Sequence, residues 1–206
     1  MEAYKQKIEE KYRLVSRLPE QLMGFTVPIR RRAVDLLNLP GGASVLDVGC
    51  GSGASFPCLI QAVGESGKVI GVEPSHSMIS VARQRIKQEG WKNIVLHENT
   101  IEEIEEMEIA DGALLFAMHD VFNSMPGLMK IHALLKDGAR IVCVGPKTQT
   151  QRKRRVLNPF LRLLFKRMAI SQENLDRPWR MVESLFSTEE ILEEKGGLIF
   201  IYVGRK

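Results

Sequence analysis

A short strand-forming run, Ser44-Val-Leu-Asp-Val, leads straight into Gly49, Gly51 and Gly53, three glycines at alternate positions. This stretch restricts the fold more than any other in the sequence. Branched and aliphatic residues favour extended backbone. Glycines directly after them let the chain turn sharply and leave room for a ligand to lie on the bare backbone. In an open α/β sheet that turn sits at the carboxyl end of the first strand, where nucleotide-like ligands bind.

The rest of the chain keeps the rhythm such a sheet requires. Helical periodicity over 54–63 is followed by a strand at 68–72 and a helix from about 77 to 89. A third strand at 93–97 precedes an acidic turn or short helix. A fourth strand at 111–117, a helix running to 135 and a fifth strand at 137–144 complete the alternation. Strands alternating with helices predict parallel βαβ units and a doubly wound, mostly parallel sheet. Before it, the first 38 residues read as helices. They carry one apolar stripe at Ile8, Tyr12, Val15 and Leu18 and another over 27–37 with Pro28 near its start. At the other end, 198–203 is a strand. Segment 186–194 is read as its hairpin partner across Gly196-Gly197, although the capping box Ser187-Thr-Glu-Glu argues for a helix.

The glycine spacing excludes two common ligand cradles. A dinucleotide loop needs G-x-G-x-x-G, and the third position falls on Ala54 or on Phe56. A P-loop needs a lysine after its last glycine, and none follows here. Composition narrows the class further. A chain of 206 residues, 44% hydrophobic and 26% charged, is ordinary globular material of single-domain size. No apolar run approaches the roughly 18 residues of a membrane span, and the N-terminus shows no signal-peptide core. Three scattered cysteines make neither a disulfide framework nor a metal site, so a cytoplasmic setting is the expectation. The net charge of +4 is unevenly spread: seven acids and no base lie in 98–111, against ten bases and two acids in 147–180.

The loop D-x-G-x-G-x-G resembles motif I of the class I S-adenosylmethionine (SAM)-dependent methyltransferases. The second strand extends the likeness, where Val69-Ile-Gly-Val-Glu-Pro-Ser-His-Ser-Met places an acid at the strand end, then Pro-Ser, then Met. With the fourth and fifth strands the resemblance covers about 44–145. It implies a Rossmann-like, seven-stranded α/β domain: an N-terminal helical cap at 1–40, a cofactor-binding core at 44–145, a basic helical lid at 147–186 and C-terminal strands at 187–206. It also implies SAM as cofactor and no bound metal. Glu73 would accept both ribose hydroxyls, and Pro74 and Met78 would flank the adenine. The Gly49 carbonyl would accept from the methionine ammonium, and Asp47 would orient the loop and that ammonium, while Gly51 and Gly53 complete the cradle. Met78 serves equally well as a core residue. Many relatives carry an aspartate after the third strand. Thr100 stands there in this chain, leaving its hydroxyl or Asn99, with the Ile101 backbone, to meet the adenine.

The acceptor end follows from the fourth strand, which closes on Phe116-Ala-Met-His-Asp-Val-Phe-Asn. Ala117 falls on the cofactor side of this turn. His119 is the first candidate for a general base and Asp120 the second, either as base or to orient the histidine; otherwise His119 packs the following helix. Trp179, with Tyr4, Tyr12 and Phe25, lines a lid or anchors the appended helices. The expected function is methyl transfer from SAM to a small-molecule or lipid-like acceptor. The competing readings are a SAM-binding scaffold without turnover and an RNA methyltransferase. Nucleic acid is not expected, because the basic segment comes with no RNA-binding module. Over 158–170, Phe160, Leu161, Leu164, Phe165 and Met168 make an apolar stripe beside Arg162, Lys166 and Arg167. That helix either packs as a lid or lies on an anionic membrane surface. The oligomeric state is not readable from the sequence.

Overall fold

A computed structural model describes residues 26–105, 107–147 and 177–206, with positions 6, 8–10, 13 and 24 of the N-terminal segment. The helix expected at 158–170, and Tyr4, Tyr12 and Phe25, lie outside the described residues.

Among the described residues, seven strands form one sheet. They are β1 (Ser44–Val48), β2 (Lys68–Val72), β3 (Ile94–His97), β4 (Ala110–Phe116), β5 (Leu135–Pro146), β6 (Ser187–Glu194) and β7 (Ile199–Arg205). Their order is β3-β2-β1-β4-β5-β7-β6. The first five run parallel, and β7 is inserted antiparallel between β5 and β6. Among the described residues from 26 on, the helices are α1 (Val27–Leu37), α2 (Phe56–Val63), α3 (His76–Glu89), the short α4 (His119–Phe122) and α5 (Met125–Ala133).

Strand alternation sorts the core into two layers. Val45, Leu114, Val142 and Val144 face Ile29, Val34, Phe56 and Leu59 of α1 and α2. Leu46, Val48, Leu115 and Cys143 face Val121, Phe122, Leu128 and Ile131 of α4 and α5. Each such side chain contributes about 1.5–3 kcal/mol on burial, which holds the helices against both faces. Strand order reverses between β1 and β4, so a crevice opens beyond their carboxyl ends, where ligands bind in sheets of this kind.

Three details refine the sequence reading. The helix expected to run to Leu135 is two helices, because Ser124 caps a fresh start by accepting from the Gly127 N–H at 3.1 Å, with Pro126 in the first turn. Leu135 itself opens β5. The fourth strand stops at Phe116, one residue early, since Ala117 turns to a φ of 62°. Segment 187–194 is a strand, paired with β7 from Ser187↔Arg205 to Glu194↔Ile199. It is an edge strand, exposed along most of its length, and its glutamates bond back onto their own chain. Glu189 pairs with Arg140 and Arg205, Glu193 with Lys147 and Glu194 with Arg32.

Candidate functional site

The three loop glycines all have left-handed backbone, with φ of 69° at Gly49, 56° at Gly51 and 78° at Gly53. The loop folds back on β2, where the Gly49 and Cys50 N–H groups both donate to the Val72 carbonyl, at 2.7 and 3.1 Å. A Cβ on Gly53 would fall 2.4 Å from the Phe56 ring, so this glycine also lets α2 start close against the strand end. Two thioethers rest on the other glycines. A Cβ on Gly51 would lie 3.2 Å from the Met78 methyl, and one on Gly49 only 2.0 Å from the Met118 sulfur.

The β2 end supplies a carboxylate. Glu73 is buried and accepts from the Gly51 N–H at 3.0 Å and the Ser75 N–H at 2.8 Å. One carboxylate thus ties the glycine loop to the start of α3. Ser75 caps that helix by accepting from the Met78 N–H at 3.3 Å, and it donates to Glu9 of the N-terminal segment at 2.8 Å. Pro74 is half-buried between them. Burial pushes the Glu73 carboxyl up to about 7, against the lowering effect of those two N–H bonds.

Asp47 stands in the penultimate position of β1, buried, with Oδ2 making no hydrogen bond among the described residues. Desolvation raises it to about 7; the nearby Arg30 guanidinium opposes the rise and Glu73 adds to it. A buried oxygen without a donor is costly, by about 1–3 kcal/mol for a neutral group and more for a charge. Its presence beside a ligand-accessible glycine loop fits a cationic partner. Two such carboxylates would repel a pyrophosphate, whereas a primary ammonium and a pair of ribose hydroxyls satisfy them. The acceptor set therefore matches SAM.

Beyond β3, Thr100 is buried ahead of a single 3₁₀ turn (Ile101–Glu103). Its N–H donates to the Glu103 carboxylate at 3.1 Å, and the Ile101 side chain goes into the core. On the far side of β1, Ala117 donates to the Val144 carbonyl at 2.6 Å and is exposed at the crevice. A non-glycine residue with left-handed backbone is uncommon and recurs at ligand sites. His119 follows, 6% exposed, with its ring edge-on to Phe122 at 5.4 Å and Phe200 at 6.4 Å. Gly145 gives that ring its place, since a Cβ there would lie 3.2 Å from His119 Nε2. Asp120 is only half-buried. Trp179 packs on Phe200 at 5.0 Å and belongs to the same core layer.

The structure thus gathers Asp47, Gly49, Gly51, Gly53, Glu73 and Met78 around one loop, with Ala117 across the β1–β4 crevice. His119 sits among aromatic rings, and Asp120 is the more accessible of the two base candidates. Three participants escaped the sequence reading. Arg30 of α1 lies over the Phe116 ring at 3.8 Å and donates to Ser55 Oγ at 2.6 Å. Met118 covers Gly49. Glu9 bonds the start of α3, accepting from the Ser77 N–H at 3.2 Å. Arg30 had a signal: it stands four residues before Val34 and seven before Leu37, on the buried face of α1.

Comparison with known proteins bears on the family and the fold. The family model for a methyltransferase domain matches residues 40–196. A demethylmenaquinone methyltransferase of Oceanobacillus iheyensis is 33% identical over 124 residues, 59% of this chain and 52% of that protein. The chain therefore spans about half the length of the curated relatives it matches. Among solved structures, a SAM-dependent methyltransferase from Aquifex aeolicus superimposes with a TM-score of 0.67 at 19% identity, covering 98% of this chain and 96% of that one. The N-methyltransferase NodS of Bradyrhizobium japonicum, in complex with S-adenosyl-L-homocysteine, gives 0.65 at 14% identity over 89% of this chain and 88% of its own. With its loop, its paired carboxylates and its strand order all of one type, the chain belongs to the class I SAM-dependent methyltransferase family.

Proposed function

We propose that this protein transfers the methyl group of SAM to a small, lipid-like acceptor of the hydroquinone type. The observation that carries the reading is the convergence of the buried Asp47 and Glu73 carboxylates on a loop of three left-handed glycines. That set would hold the ammonium and ribose of SAM, and the exposed Ala117 lies across the β1–β4 crevice from it. The relatives' name supports the acceptor class, since demethylmenaquinone is a quinone with a lipid tail.

Transfer from a sulfonium is an in-line displacement, so the protein's main task is to hold the acceptor about 3–3.5 Å from the methyl. A reduced quinone is a phenol, and its nucleophilic form is the phenolate. Removal of that proton calls for a base. Asp120, half-buried in the first turn of α4, is the accessible candidate. His119 stands one residue earlier with its ring against Phe122 and Phe200.

Incubation with methyl-labelled SAM and, separately, reduced demethylmenaquinone, a soluble catechol and a soluble amine tests the reading. Label should enter the lipid-soluble quinol fraction. Label only in the amine, or no transfer by a chain that binds SAM, would remove the acceptor assignment. The basic segment bears on how such an acceptor arrives. We propose that 158–170 meets an anionic membrane surface, on the strength of its apolar stripe and flanking bases. Co-sedimentation with anionic vesicles that fades with salt is the expected result. No binding at low salt would end the idea.

A further inference from the structure

We infer that Trp179 determines specificity at the acceptor site, its indole N–H donating a hydrogen bond to a ring oxygen of a flat aromatic acceptor received among Phe122, Phe200 and His119. The inference rests on the proposed acceptor class and deepens it by naming the group that recognises the acceptor's oxygen.

An indole nitrogen can only donate. Trp179 is 8% exposed, and its Nε1 makes no hydrogen bond among the described residues. A buried donor left without an acceptor loses its hydration and gains nothing in exchange. A wholly apolar side chain would fill a core position without that cost. The N–H therefore marks a place where an oxygen from outside the chain is received.

That place is the transfer end of the sheet. Trp179 packs on Phe200 with ring centroids 5.0 Å apart. Phe200 pairs with Gly145, next to the last residue of β5, and its ring lies 5.8 Å from Phe122 and 6.4 Å from His119. His119 and Phe122 are the first and last residues of α4, which follows directly on the turn at the end of β4. The four rings thus stand at the carboxyl ends of β4 and β5, the same end of the sheet that carries the glycine loop after β1. Trp179, Phe122 and Phe200 share the core layer on the α4–α5 face. Aromatic walls take up the faces and edges of a flat ring whether or not it bears oxygen. A fixed donor makes the distinction, because an analogue without the oxygen leaves it unpaired.

The turn that carries Trp179 is pinned. Its carbonyl accepts from the Glu183 N–H at 3.1 Å, and Arg177 pairs with Glu183 at 2.8 Å. A donor held in place before the ligand arrives costs little further ordering on binding. The chain's other tryptophan, Trp91, stands elsewhere, edge-on to Phe56 of α2 at 6.3 Å with Arg85 over its ring. It serves as an internal control.

The test uses the full chain saturated with S-adenosylhomocysteine, so that no methyl can move. It is titrated with 1,4-dihydroxynaphthalene, kept reduced, and with naphthalene, which has the same rings and no oxygen. Nitrogen-15 NMR resolves the two indole N–H signals, and the one that remains in Trp91→Phe belongs to Trp179. The dihydroxy compound should move that proton downfield, as a new hydrogen bond to oxygen does, and naphthalene should not. Trp179→Phe should weaken the dihydroxy compound roughly three- to tenfold, the loss of one neutral hydrogen bond. S-adenosylhomocysteine and naphthalene should stay within about twofold of wild type. Binding of the dihydroxy compound without the downfield shift, or with equal affinity in the Phe variant, overturns the assignment and leaves the acceptor class standing. So does an equal loss of both ring compounds in that variant, which would mark a packing role. Should the variant not fold, the wild-type signal decides alone. No binding of the dihydroxy compound by a chain that holds S-adenosylhomocysteine overturns the acceptor class and this assignment together.

Discussion

The sulfur of Met118 stands directly over Gly49. A Cβ on that glycine would fall 2.0 Å from the sulfur and 2.7 Å from the side chain's Cγ. Backbone at the end of β1 and a side chain from the end of β4 therefore share one small space, the same space that a ligand must enter to lie on the loop. Met118 is unbranched and can swing aside at low cost. A Cβ at residue 49 cannot. Gly49→Ala combines this clash with a φ of 69°, which costs a non-glycine residue about 1–2 kcal/mol. We expect a melting temperature lower by several degrees and S-adenosylhomocysteine binding lost, read by thermal unfolding and calorimetry.

Gly51 behaves differently. A Cβ there meets only the tip of Met78, at 3.2 Å, which can move. Gly51→Val should therefore remain folded, with unfolding temperature reduced modestly by the left-handed φ of 56°. Its branched side chain then occupies the cofactor's surface. Binding of SAM should vanish. Retained micromolar affinity would show that the loop is not the cradle.

At Glu73 the carboxylate accepts from two backbone N–H groups, of Gly51 and Ser75. Glu73→Gln keeps the shape but turns an amide NH2 group toward one of those donors. Charged hydrogen bonds contribute about 1.5–3 kcal/mol, so SAM affinity should fall roughly ten- to hundredfold. The loop and the start of α3 should also loosen together, visible as faster amide exchange at Gly51 and Ser75. Equal affinity in the Gln variant would place the ribose elsewhere.

Asp47 and Glu73 both carry carboxyls raised to about 7, chiefly by burial. In the unfolded chain they ionise near 4. Between those values the folded state binds more protons, so unfolding free energy should fall as pH rises from about 4 to 7 and level off above. Ligand binding runs the other way, because an ammonium on Asp47 stabilises its ionised form. Affinity for S-adenosylhomocysteine should rise from pH 6 to pH 8, with net proton release on binding. Titration in two buffers of different ionisation enthalpy measures that release. Proton uptake would refute the assignment of the ammonium to Asp47.

How far the sequence reveals this depends on whether the determining contacts are local. The glycine loop and Glu73 are legible because their chemistry lies in backbone conformation and in strand ends a few residues apart. The split between α4 and α5 was written in Ser124 and Pro126, a cap and a helix-starting proline, but an unbroken apolar pattern hides it. His119 illustrates the harder case. Its environment is made by Phe200, which arrives through β7 inserted between β5 and β6, and by the space Gly145 leaves. No local pattern encodes that pairing. Arg30 fell in between: its spacing to Val34 and Leu37 marks the buried face, but it stands first in a run of three arginines that reads as a solvated surface.

The acidic β6 edge bears on how this molecule meets its own kind in solution. An exposed edge strand offers unpaired N–H and C=O groups on which another chain can continue the ladder. A second copy paired antiparallel with Glu189 opposite Glu194 would also set Glu190 opposite Glu193. Like charges opposed across a ladder are unfavourable. At neutral pH Arg140, Arg205, Lys147 and Arg32 hold three of these glutamates, so a second copy has both ion pairs and opposed carboxylates to overcome, and acid that protonates the row should lower that barrier.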